Sequence, residues 1–66
     1  MKLNVLRIKL FLGQRGWTQG KLAERAGISR QTLCAILARG SASPRSAVRL
    51  ADALGVPLEQ IAEVRP

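Results

Sequence analysis

Residues that start and stop helices cut this 66-residue chain into five short segments, and their spacing constrains the fold more than any other feature. Thr18, Ser29 and Ser43 are of the type whose side-chain oxygen caps the first amides of a helix, and Pro44, directly after Ser43, suits a first helical position. Gly27, Gly40 and Gly55 fall where helices should end, because glycine accepts the left-handed backbone of a helix C-terminus without a steric penalty. The segments read as helices over approximately 4–13, 19–26, 30–39, 44–54 and 58–63, the first closing across Gly13 to Gly16 and the last opened by Pro57. Strand signals are nearly absent: there are two aromatics, few β-branched residues and no alternating run. The expectation is a single all-α domain spanning residues 1–66.

Helical periodicity identifies what each segment buries. In the third helix Leu33, Ile36 and Leu37 form one stripe; in the fourth, Ala47, Leu50, Ala51 and Leu54 do so; in the second, Leu22, Ala23 and Ala26, with Trp17 and Ile28 at the two ends. The first helix is apolar on two faces. Val5, Ile8, Phe11 and Leu12 lie on one, and Leu3, Leu6 and Leu10 nearly opposite. A cover for the second face would come from the terminal helix, through Leu58, Ile61 and Val64, or from another subunit. The terminal helix is preferred, since it lies in the same chain and has little else to bury.

Composition removes several functions. There is no histidine, and Cys34 is the single cysteine, which excludes an intrachain disulfide, a His/Cys zinc site and a histidine base. The acids Glu24, Asp52, Glu59 and Glu63 are scattered, and a core this small leaves no room for an enzyme-sized pocket, so no catalysis, cofactor or small-molecule ligand is expected. The stretch Leu3 to Leu12 carries Arg7 and Lys9, lacks a small-residue cleavage site after it and is too short to span a bilayer. An unpaired cysteine agrees with a reducing cytoplasm.

Charge points toward a partner. Residues 1–50 hold ten Lys and Arg against Glu24, a net of +9, and residues 51–66 hold Arg65 against three acids, a net of −2. A basic body with a mildly acidic end suits a polyanion. Two helices joined by Ala26-Gly27-Ile28-Ser29 supply the means, since a helix, a tight turn and a second helix form the supersecondary unit that reads DNA.

The run Thr18-Gln19-Gly20-Lys21-Leu22-Ala23-Glu24-Arg25-Ala26-Gly27-Ile28-Ser29 resembles the T-Q-x-x-L-A-x-x-x-G-[IV]-S pattern of the phage-repressor-like helix-turn-helix family of Cro/C1/Xre type. The stretch Ser43-Pro44-Arg45 through Ala51-Asp52-Ala53-Leu54-Gly55-Val56 is similar to that family's fourth helix and its A-x-A-L-G-V ending. The resemblance covers about residues 5–62. It implies a compact five-helix, lambda-repressor-like DNA-binding domain whose third helix enters the major groove, in a cytoplasmic, bacterial or phage, nucleoid-associated regulator that is usually a dimeric repressor. Two departures stand out. Leu12 and Leu37 occupy positions where many members carry a buried Arg–Glu pair, and losing both ends leaves no orphan charge. Gly40 comes one residue later than the usual stop, with Arg39 in its place.

Residue roles follow from geometry and resemblance together. With Leu33, Ile36 and Leu37 in the core, the opposite face of the third helix presents Gln31, Cys34, Ala35 and Ala38, flanked by Arg30 and Arg39. Arg30, Gln31, Cys34 and Ala35 are the expected base contacts: glutamine matches adenine N6 and N7, arginine matches guanine O6 and N7 or else a phosphate, and small residues let the helix sit deep. Gln19, Arg39, Ser41, Ser43 and Arg45 are the expected phosphate contacts, at helix starts where free amides and cations meet the backbone. Lys21, Arg25 and Arg15 are less fixed by this geometry, with Arg15 placed as a flank to the groove. The partners expected are double-stranded DNA and a second copy of the chain, with no metal and no membrane. An antitoxin-like module that binds a partner protein is the alternative. A cationic membrane-surface peptide would leave the turn chemistry of Gly27 and Ser29 without a purpose.

Overall fold

The computed structural model describes residues 1–63. Four α-helices, α1 (Val5–Arg15), α2 (Gln19–Ala26), α3 (Arg30–Arg39) and α4 (Pro44–Leu54), are followed by a single 3-10 turn, Leu58–Gln60. Each α-helix begins on a polar cap: Asn4, Thr18, Ser29 and Ser43 accept from the amides of Arg7, Lys21, Thr32 and Ser46, respectively. One such cap contributes roughly 1 kcal/mol. Together they hold four short helices that are marginal alone. The core joins Ile8 and Leu12 of α1, Leu22 of α2, Leu33 and Ile36 of α3, Leu50 and Leu54 of α4, and Ile61. Phe11, Trp17, Ile28 and Leu37 pack against it, half-buried. Leu12 is buried in this interior and Leu37 packs against it.

Three expectations are corrected. The first helix does not close at 13 but passes through Gly13 and stops at Gly16, where the backbone turns left-handed at φ 66°. A lone mid-helix glycine costs only about 1 kcal/mol, and tertiary contacts at the helix end outweigh it. Arg15 supplies one such contact, donating from Nη2 to the Leu54 carbonyl at 2.7 Å and from Nη1 to the Phe11 carbonyl at 3.2 Å. That guanidinium, 5.3 Å from the Phe11 ring centroid, closes the C-terminus of α4.

The fifth helix is reduced to the one turn at Leu58–Gln60. Beyond it the chain extends, because its backbone pairs with the amino terminus: Asn4 N–H donates to the Ile61 carbonyl at 2.7 Å and Glu63 N–H to the Lys2 carbonyl at 2.9 Å. On its other edge the same N-terminal segment meets the α3–α4 loop. Leu3 N–H donates to Gly40, and Met1 and Ala42 exchange amide and ammonium donors. Extended backbone therefore appears where no alternating pattern signals it, with bridges Lys2–Ser41 and Leu3–Ala62.

The cover over the first helix is the third correction. Leu3 precedes α1 and is buried in this clasp, whereas Leu6 and Leu10 stay 67% and 57% exposed. The described part of the terminal segment packs Ile61 and Ala62 into the core. Val64, named as part of that cover, lies outside the described residues.

Candidate nucleic-acid interface

The α2–α3 corner is built locally. Gly27 takes φ 73° with open space where a side chain would begin, so its need for glycine is one of backbone and not of packing. Ile28 N–H returns to the Ala23 carbonyl at 3.0 Å while its side chain packs on the core, which sets the angle between the two helices. Ser29 then starts α3, its hydroxyl donating to Thr32 Oγ1 at 2.7 Å while accepting from the Thr32 amide. Leu33, fully buried, and Ile36 seat the helix. By helical periodicity their burial turns Arg30, Gln31, Cys34, Ala35, Ala38 and Arg39 outward, and all six are exposed.

This outward face gathers the four expected base-contacting residues, Arg30, Gln31, Cys34 and Ala35, on one surface. It also brings in the start of α2. Cys34 Sγ lies 3.6 Å from Gln19 Oε1, the thiol donating to the amide oxygen. The sequence reading placed Gln19 and Cys34 in separate roles and missed their contact. Fifteen residues separate them, so no local signal reports it. An amide whose oxygen is engaged turns its NH₂ donor to other acceptors. Beside it, the backbone amides of Gln19 and Gly20 precede the first intrahelical bond of α2 and carry the positive end of its dipole.

The expected phosphate-contacting residues other than Gln19 lie where α3 passes into α4. Arg39 and Arg45 are exposed. Ser41 is half-buried and pairs through its backbone with Lys2. The Ser43 hydroxyl is occupied, accepting from the Ser46 amide at 3.2 Å and donating to Ser46 Oγ at 3.1 Å. The N-terminal clasp on Gly40 and Ala42 holds this loop in place. From Arg25 to Ala51 the chain contains five arginines and no acid. Lys21 is half-buried, and Arg25 lays its guanidinium 5.4 Å from the Trp17 ring centroid.

The helix-turn-helix family matches residues 8–61, which include all four helices' core positions and both helix starts. This chain belongs to the Cro/C1-type helix-turn-helix family. As a member it carries the family's helix-turn-helix, built from four helices and a 3-10 turn where five helices were expected. No curated protein matches the chain. A solved structure described as native PhpD with cadmium atoms is similar over the whole of it, with 26% identity and a TM-score of 0.80. The helix-turn-helix chain spans 14% of that protein's length, so the same unit is found as a small part of a much longer polypeptide. Among the described residues no group of three His, Cys, Asp or Glu is placed to hold a metal ion. No helix of the described residues is long and apolar enough to cross a membrane.

Proposed function

We propose that this helix-turn-helix domain is a sequence-specific regulator of transcription that represses by occlusion, reading the major groove of double-stranded DNA with α3. The observation that carries the reading is the outward face of α3: polar at its first turn, small along its length, and flanked by arginines with no carboxylate. Arg30 and Gln31, in the first turn, are the donors and acceptors suited to guanine and adenine edges. Cys34 and Ala35 are small enough to let the helix approach and to meet a thymine methyl. Gln19, with its oxygen on the Cys34 thiol, offers its NH₂ to a phosphate beside the α2 amides. Arg39 and Arg45 bring charge to the backbone, Ser41 lies on the pinned loop, and Ser43, its hydroxyl used in capping, contributes through the helix start it creates. These backbone contacts set register and carry no base information. A second copy on the other half of a two-fold operator completes the site.

Selection from a random duplex pool at about 0.15 M salt, where specific and non-specific binding separate, tests the reading. An enriched inverted repeat with half-sites about one helical turn, ~34 Å, apart is the expected result. A pool without enrichment, bound only at low salt, would overturn sequence-specific repression.

A further inference from the structure

The outer face of α1 carries Leu6 and Leu10, the most exposed large apolar residues among those described, and neither the core nor the α3 face accounts for them. At 100° per residue Leu6, Leu10 and Gly13 fall on one stripe, directly opposite Ile8 and Leu12, which are buried. Lys9 borders the stripe on one side and Arg7 on the other. Helix α1 contains no acid, and among the described residues the single ion pair is Lys2 with Glu63, so neither border charge is ion-paired within them. Arg7 donates to the neutral Gln60 Oε1 at 2.6 Å, which fixes the guanidinium beside the stripe without cancelling its charge. Gly13 continues the stripe past the leucine pair with no side chain and open space around its Cα, which permits close approach of another helix.

We infer that the Leu6–Leu10–Gly13 stripe docks an acidic amphipathic helix of another protein, apolar at i and i+4 and bordered by glutamate or aspartate. Charge selects this occupant. A second copy related by a two-fold axis would set Arg7 and Lys9 against their own equivalents, and like charges facing each other oppose association. Two leucines also fall well short of the roughly 800 Å² per partner of a stable interface, which favours a small, charge-assisted contact over a permanent dimer face. A lipid surface requires a broad apolar face on the helix that lies in it. Ile8, Leu12 and Phe11 of α1 are in the core or packed against it, and Val5 is half-buried beside Gly40. This inference does not rest on the proposed reading of DNA.

The full chain, labelled with ¹⁵N, would be titrated with a synthetic helical peptide bearing leucines at i and i+4 bordered by glutamates. Saturable shifts centred on the amides of Leu6, Lys9, Leu10 and Gly13 are expected. The double variant Leu6→Ser/Leu10→Ser should weaken binding at least about tenfold, since each exposed leucine buried contributes on that scale. Lys9→Glu should weaken it as well, and leaves the apolar stripe intact. A peptide with glutamine in place of glutamate should bind less tightly. The inference is overturned if the peptide does not bind, if the shifts centre on α3, or if the variants bind like the parent. It is equally overturned by a dimer in sedimentation that Leu6→Ser/Leu10→Ser dissolves, or by vesicles rich in phosphatidylglycerol outcompeting the peptide.

Discussion

Helices α1 and α3 each turn one apolar stripe into the core and the opposite stripe to solvent, yet the two outward stripes differ in kind. On α3 the exposed residues either carry hydrogen-bonding side chains, as Arg30 and Gln31 do, or are small, as Cys34, Ala35 and Ala38 are. On α1 they are Leu6 and Leu10 between Arg7 and Lys9. Both surfaces are basic, so charge alone does not separate their roles. The α3 face gains little from losing water and much from a directional, polar partner. The α1 face is the reverse. The contrast teaches that one electrostatic field over a small domain can serve two partners, provided the uncharged residues between the cations differ.

The comparison breaks most severely if the shared foundation is removed. Leu33→Ala, at a position without solvent exposure, should cost about 2–5 kcal/mol of folding stability. Thermal or denaturant unfolding would register it, and both outward faces would be lost together. Raising salt should next separate the two surfaces. With about four phosphates neutralised per subunit, DNA affinity should fall on the order of 10²-fold between 50 and 200 mM salt. A flat response in a filter-binding or anisotropy titration would remove the phosphate contacts from consideration. Gln31→Ala should weaken binding to the best site by roughly 1–3 kcal/mol and relax one base position, measured by competition among site variants. Unfolding should show that variant unchanged in stability. The smallest effect belongs to the other helix: Leu6→Ser should leave stability within about 0.5 kcal/mol and DNA affinity unaltered. Loss of DNA binding in that variant would show that the two faces act as one.

How much was legible follows from the range of each interaction. Thr18, Ser29 and Ser43 cap helices as their residue types suggest, and each cap bond spans only three residues. Gly27 ends α2 for the same local reason. Leu33 and Ile36 were legible as core from their spacing, and their burial turns the candidate residues of α3 outward. The Asn4 cap and the run of α1 to Arg15 were not legible. Gly13 and Gly16 both look like stops, and only contacts to α4 through Arg15 decide between them. The reduction of the last helix to a single turn was hidden as well, because Leu58, Ile61 and Val64 keep helical spacing while the backbone after Gln60 pairs with residues near the other end of the chain.

By itself the sequence determined the helix-turn-helix: its caps, its left-handed turn, its buried stripe and the family that shares them. Each depends on residues within about one turn of one another, where backbone hydrogen bonding and helical periodicity act directly. The tertiary structure decided what happens between distant segments. It joined Gln19 to Cys34, turned Arg15 from a surface cation into a clamp on α4, laid the amino terminus between the α3–α4 loop and the terminal segment, and left Leu6 and Leu10 uncovered. An apolar or basic side chain carries the same propensity wherever it is placed. Whether it meets core, carbonyl or water is settled only when the helices dock, because burial and long-range pairing belong to the assembled chain and to no single segment of it.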